Sequence, residues 1–339
     1  MKPLRLFLFA LIAATVASTL FVTPVMAAKI YNRYGMTLNK ESDGSYTINN
    51  AKAYEALVGD PYKLPKALVP YESKVPAYDK AIMETVATET IIYKKSVTGD
   101  DLPMIVYKSG KANAPVVFHI HGGGWVAGTY KAAADFCKTL AGKYGVTVVS
   151  MEYSFATAPG VRMSDSIEDC YDAVEYVLSR AEEFGIDPNR IGFVGSSAGG
   201  YLSACCAMHF PQTKAHAGWY GAYDLQYSMD NYAPASNVKK HKRYDVFLDG
   251  WSPEYIDSVS PVKIAETKSG LSYKVILFIG TADITIGPDN ARRYKEALKG
   301  AGIKDVKVIT YKNVTHSIGR SYAGADMYTK SLRLFATAL

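Results

Sequence analysis

Ser197 lies in "GSSAGG" (195–200), with a glycine two residues before it and another two residues after it. An apolar run, "RIGFV" (190–194), precedes the motif, and helical periodicity begins at Ala198. A serine hydroxyl becomes a nucleophile when a tight turn exposes it and a neighbouring base takes its proton. Gly195 and Gly199 supply the first condition, because glycines at these two offsets let a strand and the following helix pass closely with the serine held between them. The helix N-terminus behind it adds partial positive charge. A serine that merely caps the helix is the competing interpretation, and the strand-turn-helix setting favours the nucleophile.

The base must be a histidine, whose unperturbed pKa lies near neutrality. Of six, His119 and His121 belong to the apolar run "APVVFHIH" (114–121), while His209, His216 and His241 fall on a helix, a strand and an insertion. Only His316 follows the last apolar run at its carboxyl end, on a loop able to reach the serine turn. Asp283, just after "VILFIG" (275–280), is the expected carboxylate that orients His316. Asp289 is its rival, but it stands behind Pro288 at a helix start, where an acid has an ordinary dipole role. Attack on an acyl carbonyl also creates an anion that needs preorganised donors. The glycines of "HIHGGGWVAG" (119–128) meet that need: backbone N–H groups of Gly123, Gly124 and Ala198 are the expected oxyanion donors. Trp125, Tyr153, Tyr201, Trp219 and Tyr220 lie near the same strand ends and are candidates to line an acyl or alcohol pocket, with core packing as the alternative for each.

Positioning these residues requires a particular frame. Short β-branched runs at 88–96, 102–109, 114–121, 146–153, 190–197, 215–223, 273–280 and 306–314 predict eight strands. Helical patterns at 130–143, 165–184, 198–209, 289–300 and 322–337 fall between or after the later ones. Near-continuous apolar strands alternating with amphipathic helices predict an α/β fold, a mostly parallel sheet covered on both faces. In such sheets ligands bind beyond the carboxyl ends of the strands, where Gly123, Ser197, Asp283 and His316 all fall. The one long interruption, 224–262, contains "KKHKR" (239–243) and is expected to form a small cap or lid.

The N-terminus reads as an address. Lys2 and Arg5 precede an apolar run that ends at Pro24 and the small residues of "VMAA", which predicts a signal peptide over 1–27 and a secreted or periplasmic protein. An uncleaved anchor is the alternative; Thr15, Ser18, Thr23 and Pro24 dilute the run, so no stable membrane insertion is expected after cleavage. Residues 28–84 form a polar, Tyr-rich extension, and 85–339 the main domain. Removing residues 1–27, which hold two bases and no acid, lowers the formal charge from +6 to +4, too mild to suggest a nucleic-acid partner. Cys137, Cys170, Cys205 and Cys206 all fall in helical patterns and are expected to be buried free thiols. Right-handed crossovers place Cys137 on one face of the sheet and the others on the opposite face, so any disulfide would join Cys170 to Cys205 or Cys206. No metal-ligand spacing occurs, and no cofactor or metal is expected.

Together, "HGGGW" (121–125), "DPNRIGFVGSSAGG" (187–200), "GTAD" (280–283) and "VTHS" (314–317) resemble the hormone-sensitive-lipase-like α/β-hydrolases, the bacterial esterases of the HGGG type. The resemblance covers about residues 85 to 339. It implies an eight-stranded sheet, a Ser197–Asp283–His316 triad and carboxylic ester hydrolysis without a cofactor. Two departures stand out: Ser196 replaces the family's usual acid before the nucleophile, and "EYSFATAPG" (152–160) replaces the usual "DYRLAPE". The Ser196 form looks more like the exported carbohydrate acetyl- or feruloyl-esterase branch. The expectation is thus an exported serine esterase acting on short acyl esters, small or carbohydrate-linked. A lipase-like esterase, an amidase or peptidase on the same scaffold, an arylformamidase-like enzyme, and a non-catalytic binding protein built on a hydrolase fold are the alternatives.

Overall fold

Burial along the strands rises from the edge of the sheet to its centre. The computed structural model describes residues 80–231, 243–320 and 323–339, together with two earlier strands, β1 (Thr37–Lys40) and β2 (Tyr46–Asn49), which pair antiparallel. Strand β3 (Thr88–Lys95) is mostly exposed and β4 (Asp101–Tyr107) alternates, as edge and near-edge strands do. In β5 (Ala114–Ile120) and β6 (Thr147–Met151) nearly every residue is buried, as are the carboxyl halves of β7 (Ile186–Ser196), β8 (Thr213–Trp219) and β9 (Lys274–Gly280). Strand β10 (Val306–Tyr311) closes the far edge. The order across the sheet is β10-β9-β8-β7-β5-β6-β4-β3, with β3–β4 and β4–β6 antiparallel and all other pairings parallel. This is the eight-stranded, mostly parallel sheet of the α/β-hydrolase fold.

The helices, in chain order, are α1 (Lys80–Thr85), α2 (Ala134–Tyr144), α3 (Met163–Leu178), α4 (Ala181–Phe184), α5 (Ala198–His209), α6 (Leu225–Asn231), α7 (Arg243–Phe247), α8 (Pro253–Val259), α9 (Pro261–Glu266), α10 (Asn290–Gly300) and α11 (Gly324–Ala338). They cover both faces. Helices α2 and α11 pack on one face through Phe136, Cys137, Leu332 and Phe335, while α3, α5 and α10 cover the other through Cys170, Val174, Leu202, Cys206 and Tyr294. All four cysteines are buried free thiols, and Cys137 lies across the sheet from the other three, as the crossover argument expects.

Several boundaries differ from those read in the sequence. The helical pattern over 165–184 divides into α3 and α4, because Arg180 leaves helical geometry at φ −118°, ψ 33°. Strand β8 stops at Trp219, since Tyr220 turns into the left-handed region at φ 42° and starts the connection to the cap. The cap region, expected as a lid or loop over 224–262, contains α6, α7 and α8. Residues 1–36, with the expected signal peptide, most of the 28–84 extension, and 232–242, with His241 and most of "KKHKR", lie outside the described residues. No helix among the described residues is long and apolar enough to cross a membrane.

Candidate active site

The turn from β7 into α5 sets the position of Ser197. Its backbone sits at φ 55°, ψ −119°, a strained conformation for a residue with a side chain, and its N–H donates to Trp219 O at 2.9 Å. The flanking glycines are required by close approach. A Cβ at Gly195 would lie 2.2 Å from Gly199 O, and one at Gly199 would lie 2.0 Å from Ile120 O. Helix α5 therefore crosses directly over the ends of β5 and β7, and the Ser197 hydroxyl is held at its N-terminus.

Ser197 Oγ is 2.7 Å from His316 Nε2, and His316 Nδ1 is 2.8 Å from Asp283 Oδ2. Asp283 is fully buried, and its second oxygen, Oδ1, accepts the backbone N–H groups of Thr285 (2.9 Å) and Ile286 (3.2 Å). A carboxylate only accepts, so Nδ1 of His316 carries the hydrogen and Nε2 is left as the acceptor for the Ser197 hydroxyl. That is the tautomer a general base needs. Three residues separated by up to 119 positions thus form one relay built from the loops after β7, β9 and β10. Asp289, by contrast, is half exposed at the start of α10 and pairs with Arg292.

The glycine loop after β5 faces the same point. At Gly123, φ is +134°, and a Cβ there would lie 1.7 Å from Ala127 O, so only glycine fits. Its carbonyl accepts Val126 N–H and Ala127 N–H, both at 3.2 Å, which closes the loop on itself. The next turn is close to the nucleophile: a Cβ built at Gly122 would lie 3.1 Å from Ser197 Cβ. Ala198, as the first residue of α5, has no acceptor one turn back for its N–H. Gly122 thus approaches Ser197 from the loop and Ala198 follows it at the helix start, while Gly124, like Gly123, takes a positive φ (61°).

The aromatic candidates separate into two groups. The Tyr220 ring meets His316 edge-to-face with centroids 5.1 Å apart, and Trp125, partly exposed, is backed by Tyr201 at 5.2 Å and Phe247 at 6.1 Å. Trp219, Tyr201 and Tyr153 do not line a crevice, contrary to expectation, because each is 1% exposed or less. Trp219 turns to the α2/α11 face, packs against Phe136 and Tyr328, and donates Nε1–H to Ser331 Oγ. Tyr201 donates its hydroxyl to Val259 O behind Trp125. Tyr153 stacks on His121 at 4.6 Å and donates to His121 O. The sequence reading missed Glu152, whose Oε1 is 2.5 Å from His121 Nε2; its only signal was the unusual "EYSFATAPG". Among the described residues, no cluster of three or more His, Cys, Asp or Glu side chains could hold a metal ion.

A nucleophilic serine, its histidine base and a buried orienting aspartate, beside a glycine loop at the ends of this sheet's strands, define a serine hydrolase site of the α/β-hydrolase class. Residues 117–319 match the alpha/beta hydrolase fold family, and the chain belongs to it. It is similar to the carboxylesterase NlhH of Mycobacterium tuberculosis, 30% identical over 216 residues that cover 60% of this chain and 67% of that protein. It is also similar to the isoprenylcysteine alpha-carbonyl methylesterase ICME of Arabidopsis thaliana, 27% identical over 223 residues; the matched region spans about half of that relative's length (50%) and 60% of this chain. Among solved structures, esterase 2 of Thermogutta terrifontis with butyrate bound superposes with a TM-score of 0.59 at 25% identity, covering 73% of this chain and 91% of that one.

Proposed function

We propose that the protein is an exported serine carboxylesterase that cleaves short acyl esters, including acetyl or hydroxycinnamoyl groups on carbohydrate. The observation that carries the esterase reading is the continuous relay from Ser197 Oγ through His316 to the buried Asp283. Ser197 attacks the ester carbonyl while His316 Nε2 takes its proton, and the amides of Gly123, Gly124 and Ala198 hold the oxyanion. His316 returns the proton to the leaving alcohol, and water, deprotonated by the same nitrogen, releases the acid from the acyl-enzyme.

The Trp125 ring, directly after the oxyanion glycines and backed by Tyr201 and Phe247, supports a short acyl side. The butyrate bound to the Thermogutta esterase is in keeping with that length. Tyr220 and Trp125 offer flat amphipathic faces that suit a sugar ring, and the charged-then-apolar leader of residues 1–27 supports export. The test is a series of p-nitrophenyl esters from acetyl to dodecanoyl, run beside acetylated and feruloylated xylan, with the leader's fate read by N-terminal sequencing of the exported protein. Fastest turnover at two to four acyl carbons, with acetate or ferulate released from polymer, is expected. Specificity constants rising steadily to twelve carbons, with no release from polymer, would replace this reading with a lipase-like one.

A further inference from the structure

Asp283 is held by a segment that has no regular structure of its own. Between β9 and α10, residues 283–287 are neither strand nor helix, and Gly287 turns the chain at φ +90°. Thr285 and Ile286 in this segment supply the two N–H groups that Asp283 Oδ1 accepts, the second at 3.2 Å. The Ile286 carbonyl is clamped in turn: Asn290 Nδ2 donates to it, and so does Ser228 Oγ at 2.8 Å. Asn290 is fully buried at the start of α10, and Ser228 is buried on α6.

The Asn290 amide is fully used, which settles its orientation. Oδ1 accepts the Asp224 N–H at 2.8 Å, and the two hydrogens of Nδ2 go to Ile286 O and to Ser228 Oγ, the latter at 2.9 Å. Ser228 Oγ, having accepted there, shares its own hydrogen between Ile286 O and Asp224 O, the second at 3.0 Å. Asp224, which directly precedes α6, is fixed separately: its carboxylate accepts Tyr227 N–H at 2.9 Å and Arg293 Nε–H at 2.6 Å. One buried side chain therefore ties the residues that open the first cap helix to the segment beneath the triad's carboxylate.

Asp283 meets His316 Nδ1 through Oδ2 and the 285–286 backbone through Oδ1, so movement of Ile286 turns the carboxylate and changes its aim at the imidazole. A misplacement of about 1 Å transmitted from outside the reacting groups can cost on the order of 10²-fold in rate. We propose that Asn290, assisted by Ser228, is a positioning residue for the triad: it locks Ile286, and through Ile286 the Asp283 carboxylate, so that cap helix α6 and the aspartate segment are held as one unit. Asn290 acts through Ile286 and Asp283 and not on substrate, and the proposal rests on the esterase reading above.

Asn290→Ala tests it. In N290A, kcat for p-nitrophenyl acetate should fall about 10- to 100-fold with KM within about twofold, because the residue acts on the relay and not on substrate binding. In proton NMR spectra, the downfield resonance of His316 Nδ1–H, which the wild type owes to Asp283 as acceptor, should move upfield or vanish. In an Asp283→Asn background the same substitution should lower kcat by less than about threefold, because the group it positions is already gone. Ser228→Ala keeps Asn290 and removes one donor to Ile286 O; it should lower kcat about threefold and shift the same resonance the same way, and it decides the matter if N290A does not fold. Unchanged kcat with an unmoved resonance in N290A, or in S228A where N290A does not fold, would overturn the proposal, and so would equal losses in the wild-type and Asp283→Asn backgrounds. A resonance lost in N290A when the wild type cleaves no ester would instead defeat the esterase reading and leave the clamp standing.

Discussion

Ser197 and Ser196 are adjacent in sequence but not in chemistry, because only Ser197 occupies the φ 55° turn that brings its Oγ to His316. Ser197→Ala should therefore lower kcat by about 10⁴-fold or more with the fold intact. A fluorophosphonate should label the wild type at Ser197 alone; peptide mapping that finds the label on Ser196 would refute the assignment. The same reasoning separates the two aspartates. Asp283→Asn puts an amide against His316 Nδ1, favours the wrong tautomer and should cost about 10⁴-fold in kcat. Asp289→Asn touches only a half-exposed pair with Arg292 and a long 3.4 Å bond from the Tyr227 hydroxyl, and should leave turnover within about threefold, since such exposed pairs contribute little. Reversal of that order in kcat measurements would move the third member of the triad to α10.

At the scale of elements, the sheet divides the thiols. Cys170 on α3 lies beside Cys206 on α5, and its thiol is pushed well up by burial first and by Cys206 second. Cys137 lies beyond the sheet on α2, with its thiol raised by burial as well. Oxidation of the folded protein should therefore produce one intrachain bridge at most, Cys170–Cys206, and non-reducing peptide mapping that finds Cys137 in a bridge would contradict the layering. The parallel strands were legible in the sequence because burial on both faces leaves continuous apolar runs, and the site was legible because its glycines and its serine cannot be exchanged for other residues. The cap helices were not, since α6, α7 and α8 span only five to seven residues, too short for a periodicity to stand out. Trp219 was misread because closeness to a strand end does not say which face its side chain takes. The His121–Glu152 pair was invisible for a related reason: its partners are 31 residues apart and meet only through the β5–β6 register.

For the molecule as a whole, two histidines far from the chemistry make folding sensitive to mild acid. His119 and His216 are buried on opposite faces of the sheet, and burial lowers each from 6.5 to about 3. At His216 the reason is local. Ser203 Oγ donates to Gly200 O at 3.0 Å, so it accepts from His216 Nε2–H, and Nδ1 is left with no partner among the described residues. A proton on Nδ1 would be a buried charge with nothing to pair it. The unfolded chain takes up these protons as pH falls below about 6.5, while the folded chain refuses them until about 3. The unfolded state thus binds more protons across that window, and stability is full above pH 6.5 and declines as pH falls. Each histidine adds a slope of about 1.4 kcal/mol per pH unit. Asp187 and Asp326, held below 3.8 by their Arg190 and Lys330 partners, act only at lower pH. Urea midpoints measured from pH 7.5 to 4.5 should fall continuously below 6.5, and His216→Gln, which cannot titrate, should reduce the slope by about half. A wild-type midpoint that stays level down to pH 4.5 would mean that both imidazoles take up protons inside the fold, each with an acceptor for its added hydrogen.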